Sequence, residues 1–535
     1  MITSAQSTHR TQSGLATYSG SWTDREVRHL LRRTMFGAQK GDIDYFEGKS
    51  MSDAVDELLA LPSALPDPPV NNYNSERLTD PDIAFGDTWV NGPDNPGLYG
   101  ARTSSIKSWW LGRMVHQERN ILEKMVLFWH NHFATEVEVY RDPIYAYHHF
   151  STLRLNALGD FKSLVKLVTV DMAMLTYLNG NRNTKNAPDE NYARELQELF
   201  TLGKGPDSEY TENDVREAAR VLTGFRINRT DYSSYFDFNK HDTGDKTFSG
   251  FFNNASITGK SGINGASELD DLLDIIFSKE EVSKFICRKL YRWFVYYDID
   301  AQVESDVIEP LAAILRTNNY NIKKVLEALL KSEHFFDVAN EGCMVKSPLD
   351  SLVGLMRITD TEFPAKTDLA EQYYFWQIIW QVCASHQQHI GEPPNVAGWP
   401  AYYQYPQFSE LWINTDTLPK RNQISDVMIY TGLTYKASKL KTDTIKMSDM
   451  MDNPSNATAL VQDLVNYCYS LDVSTDQKTY MKGILLAGQI DDSYWADAWN
   501  DYKADPTNAT KKSIVETRLN ALVKYIMNLA EFQLS

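Results

Sequence analysis

Apolar positions recur at helical spacing along most of this chain, and the breaks between them are marked by capping and turn residues. Thr23-Asp24-Arg25-Glu26 has the form of a capping box, and Val27, Leu30 and Leu31 follow it up to Gly37, so a helix opens there. A second short helix is predicted over residues 51–61. Prolines 62, 66, 68, 69, 81, 93 and 96 then lie among Asn, Asp and Gly up to Gly100. Proline fixes φ and offers no N–H, so this stretch reads as an irregular wrap. Dense helical patterning returns from Ser104 to Gly203. Ile106, Trp109, Trp110 and Met114 share one face, and Met125, Val126, Phe128 and Trp129 form the next. Asp160 caps a run over 161–170, and Thr211-Glu212-Asn213-Asp214 opens a helix that ends near Thr223-Gly224. Between residues 225 and 252 the pattern alternates, as in Tyr235-Phe236-Asp237-Phe238, which predicts a hairpin or small sheet. Helices resume near Ala266. A proline-rich loop over 392–406 interrupts them, and the remainder to Leu534 reads as helical.

The fold class that follows is mainly α, a layered helical bundle with a small β insert around 225–252. The 535 residues exceed what one core usually holds, so several packed units are predicted. Their limits are a disordered or extended N-terminus over 1–22, a helical unit over 23–265, a second over 266–432, and a C-terminal helical segment over 433–535.

Composition narrows the function classes. Hydrophobic content of 42% is that of a folded protein. The net charge of −18 argues against a nucleic-acid partner. Arg28, Arg32 and Arg33 form a basic cluster, but they alternate with apolar residues and read as a salt-bridged helix face. The four cysteines carry no C-x-x-C pair, which removes a zinc knuckle and a thioredoxin motif. No apolar leader is visible before Ser21 and no run approaches a membrane span, so a soluble, cytoplasmic chain is the default expectation, extracytoplasmic if a leader was removed. Oligomeric state stays open.

Four polar segments exceed what packing asks for. His130 and His132 lie i, i+2 at the end of an apolar helix and can face one metal only if the helix ends or unwinds there; otherwise they are core histidines. Asn191, Glu195 and Glu198 share a helical face, with Glu195 and Glu198 as candidate catalytic carboxylates and Asn191 and Arg194 behind them. The alternative is a solvated face. Arg194 is spaced to bridge Glu190 and Glu198. His241 and Asp242 lie in a loop and read either as metal ligands with His130 and His132 or as an Asx-type turn. Gly391 to Pro400 forms a rigid loop, with Asn395 and Trp399 as candidate binding residues. Gly259-Lys260-Ser261 echoes the end of a P-loop, but Asn254 replaces the first glycine, so no nucleotide is expected.

These segments, in this order, resemble the bacterial family catalogued as domain of unknown function 1800. The matching stretches include His29 to Gly37, Phe128 to Thr135, Asn191 to Gly203, Tyr210 to Gly224, His241 to Phe248, Val345 to Pro348 and Pro393 to Pro400. The resemblance runs from about Arg28 to Arg421, with the tail after Gly432 outside it. It implies that the polar segments belong to one site and carries no established activity. Members often lie beside a sulfatase-like family, which implies a sulfatase-like partner protein. Ala397 stands where the family leads one to expect a basic residue, which weakens an anion-binding role for that loop. The expected function is a metal-dependent hydrolytic or oxidative enzyme, with zinc or iron on the His/Glu set. The alternative is a non-enzymatic glycan- or protein-binding protein.

Overall fold

The computed structural model describes residues 10–535, and it is mainly helical with three two-stranded antiparallel sheets. The capping box at Thr23 opens the helix Asp24–Thr34, and the Thr23 backbone N–H donates to Glu26 Oε2 at 3.0 Å. Arg28 pairs with Asp24 as a salt-bridged helix face requires. Arg32 and Arg33 do not. Both are buried, and their guanidinium groups donate to the carbonyls of Tyr467, Tyr469 and Asn340 at 2.7–2.8 Å. A guanidinium's fork of donors suits it to backbone carbonyls, and here it joins the N-terminal helix to the C-terminal segment.

The wrap over 62–95 contains no helix or strand, yet it is firmly held. Arg102, on the helix Tyr99–Val115, donates to Asp80 at 2.9 Å, and both side chains are fully buried. Trp109 Nε1 donates to Asp67 O at 2.8 Å. Tyr99–Val115 also packs along Leu369–Ser385, so the first and second predicted units meet along a long helix pair. One continuous buried cluster runs from Val27 to Phe532.

The predicted β insert is present as the hairpin Phe225–Asn228 with Ser233–Phe236, registered Phe225 to Phe236, and the pair Lys246–Thr247 with Ser256–Ile257. A third hairpin, Leu433–Tyr435 with Ser438–Leu440, lies where the pattern read as helix. Its strands are three residues long, too short to show alternation, and its turn uses positive φ at Lys436. Residues 10–22 are extended and tied down, with Thr17 bridging Ser332; residues 1–9 of the predicted N-terminal segment lie outside the described residues. The C-terminal segment closes on Ala509–Asn528, which packs against Thr417–Tyr430. No helix among the described residues is long and apolar enough to cross a membrane.

Candidate functional site

The helix Leu122–His132 runs unbroken to its last residue, so His130 and His132 point to different sides. His132 Nε2 donates to Phe200 O at 3.1 Å, and Lys289 Nζ donates to His132 Nδ1 at 3.0 Å. Both of its ring nitrogens are therefore committed. His130 sits in an aromatic box of Trp110, Phe150 and Trp399, and neither of its ring nitrogens has a protein partner among the described residues. Burial, then the charges of His149 and Lys107, hold its imidazole far below the ordinary range. Behind it, His149 Nδ1 meets Asp171 at 3.0 Å.

His241 occupies a separate fully buried cluster. Its Nδ1 meets Thr223 O at 2.9 Å and its Nε2 stands 3.1 Å from Glu268. Lys246 Nζ donates to the other Glu268 oxygen at 2.6 Å. Burial opposes the Glu268 charge, but the bonds from His241, Lys246 and the Lys260 N–H hold its pKa below the usual carboxylate range. Asp242 turns away from His241 and pairs with Arg220 at 2.8 Å. It also accepts the Gly244 N–H, which is the Asx-type turn. Lys260 pairs with Asp271, as no P-loop lysine would.

The acidic helix is shorter than its spacing predicts. Asn191–Glu195 is α-helical, and Leu196–Thr201 continues as a π-helical turn, which shifts the phase on which the shared face depends. Arg194 bridges Glu190 at 3.2 Å as expected, but its second partner is Glu212 at 2.7 Å instead of Glu198. Glu198 pairs with Lys204 at 2.8 Å. Glu195 is raised above the usual range by burial and then by the Glu198 charge. Asn191 is exposed, and its amide reaches only Leu178 O at 3.5 Å. The structure thus gives His130, His132, His241, Asp242 and the two glutamates separate surroundings. Among the described residues, no group of three or more His, Cys, Asp and Glu side chains is placed to hold a metal ion.

Two of the four segments do meet. Gly398 has φ +92°, and a Cβ there would stand 2.4 Å from Asn131 Oδ1. Its absence lets the 391–400 loop lie on the helix end, where the Trp399 N–H donates to Asn131 Oδ1 at 2.9 Å. Trp399 is buried, with its ring 5.8 Å from His130. Asn395 instead is exposed at the loop tip and bonds Tyr403 at 3.0 Å.

The loop walls a cleft of about 520 Å³, lined by Gln387, His389, Glu392, Trp399, Gln404 and Trp412 among others. Buried Lys107 holds two of these lining residues: Nζ lies 2.7 Å from Glu392 Oε1 and donates to His389 Nε2 at 3.2 Å. Trp380 stacks on His389, with centroids 5.2 Å apart. Burial and then Lys107 push the His389 imidazole down to about 4, while burial raises the Glu392 carboxyl against the pull of Lys107. Burial, the hydrogen bond to Glu136, and then the charges of Glu136, Glu195 and Glu392 all raise the Tyr177 phenol. His389, Glu392, Gln387 and Lys107 were absent from the expected site. Two histidines three apart, followed by a glutamate ahead of Pro393-Pro394, were the available signal.

Fold and cleft define a mainly helical protein with a preformed, aromatic-walled pocket whose acid and base are perturbed. The chain belongs to the family described as protein of unknown function (DUF1800), whose model matches residues 29–534. That match takes in the C-terminal segment, which the sequence motifs had left outside. No curated protein and no solved structure matches the chain.

Proposed function

We propose that this protein binds a glycan in the cleft between Leu369–Ser385 and the 391–414 loops. The observation that carries the reading is the composition of the cleft wall. Trp399, Trp412, Pro394 and Pro400 supply flat apolar faces, while Gln387, Gln404 and Asn414 supply paired donors and acceptors. A sugar presents this mixture, with hydroxyls at its edge and C–H groups on its faces. Tyr403 and Tyr405 flank Gln404 of this wall in sequence and are both exposed, Tyr405 at 79%. Glu392 and His389 add an acid and a base at the inner end, so the same pocket can support proton transfer to a bound sugar. Screening chelator-treated protein on a glycan array tests the reading: specific retention is expected, and its absence across neutral and acidic glycans contradicts it.

The competing proposal is a metal-dependent enzyme that uses His130, His132, His241, Asp242, Glu195 and Glu198. It requires His132, His241 and Asp242 to leave the partners described above. Elemental analysis of protein purified without chelator decides it, with stoichiometric zinc or iron as the supporting result.

A further inference from the structure

The 393–403 loop also borders a second, smaller recess, lined by Asn131, His132, Lys289, Arg292, Ala397 and Tyr403 among others. Lys289 and Arg292 lie i, i+3 on the helix Glu280–Phe294 and share a face. Their neighbour Arg288 is neutralised by Glu281 and Glu304, both at 2.6 Å. Neither Lys289 nor Arg292 forms an ion pair with a carboxylate among the described residues. Lys289 Nζ donates to His132 Nδ1 at 3.0 Å and Leu199 O at 3.2 Å, and Phe285 presents its ring 4.9 Å away. Arg292 donates to Tyr297 O at 3.1 Å. In a molecule of net charge −18, this recess has two cations and no acid in its wall.

We propose that the recess is a binding site for a tetrahedral oxyanion, a sulfate or phosphate group, held between Lys289 and Arg292. Arg292 offers a planar fork and Lys289 a point charge, the pairing that oxyanion sites use. Asn131 Oδ1 is occupied by the Trp399 N–H, which turns the amide NH2 into the remaining donor. Ala397 leaves the loop side uncharged, so the helix alone supplies the charge. The recess is sized for one group of a ligand, and its proposal does not depend on what the cleft binds.

Calorimetric titration of the full chain with inorganic sulfate at constant ionic strength tests this. Saturable binding is expected for the wild type. Lys289→Met should weaken binding about 10-fold or more. Lys289→Arg should keep binding, because arginine stays charged. Its retained affinity separates a lost charge from a damaged fold. No saturable sulfate binding to the wild type, or unchanged affinity in Lys289→Met, overturns the proposal.

Discussion

Two clusters in this protein use the same three residue types. In one, His241, Lys246 and Glu268 are sealed in the interior, and both Glu268 oxygens accept bonds at 2.6–3.1 Å. In the other, His389 and Glu392 line the cleft, with Lys107 buried against both. Burial disfavours the carboxylate in both. In the first, three donors outweigh burial and hold Glu268 below the usual range; in the second, burial outweighs Lys107 and raises Glu392. The sealed cluster joins the β insert to the helix Glu268–Phe277, whereas the other lies at the cleft, where burial raises the Glu392 carboxyl. The same three residue types thus hold one carboxylate down where three donors reach it and leave the other raised where burial prevails.

The sharpest way to break this comparison is to remove each glutamate. Glu268→Ala leaves Lys246 buried without a counter-charge and should cost about 3–5 kcal/mol in denaturant unfolding. Glu392→Ala should cost less, about 1–2 kcal/mol, because burial already opposes the Glu392 charge and Lys107 keeps its bond to His389 Nε2. Equal losses would erase the distinction. Next in size, Gly398→Ala should cost about 1–3 kcal/mol, since its Cβ would strike Asn131 at a positive φ. A neutral result would show that the loop does not need this contact.

Acid provides a further test. His29, His386 and His389 have folded-state values near 3, 4 and 4, all below the unfolded imidazole. The unfolded chain therefore binds more protons, and stability should fall as pH drops from about 6.5 towards 4. Urea unfolding across that window should show the slope, and His389→Gln should make it shallower. The smallest effect is predicted for Arg194→Lys. Its partner Glu212 is largely exposed, so the change should alter stability by no more than about 0.5 kcal/mol. A larger loss would restore this helix as a candidate site.

Local rules explain what was legible in the sequence. Capping boxes at Thr23 and Thr211 mark their helices because the bonds span only three residues. The β insert was readable from its alternation. The site was not, because its partnerships are distant: Lys289 reaches His132 across 157 residues, and Lys107 reaches His389 across 282. Glu268 looks like an acid favoured by a helix N-terminus, and nothing beside it in sequence points to His241. The π-helical turn after Glu195 rotates a face that ideal spacing had aligned. The 391–400 loop was legible only as a rigid turn carrying Trp399; its close approach to Asn131 through Gly398 was not.

If ligand binding resides in the cleft, Gln387 and Gln404 must contribute to it, because both are exposed on its wall. An oligosaccharide selected on the array would be titrated into wild-type protein and into Gln387→Ala/Gln404→Ala, with thermal melts alongside. The account predicts an affinity loss of about 10-fold or more at unchanged stability. Full affinity in the double variant would contradict it.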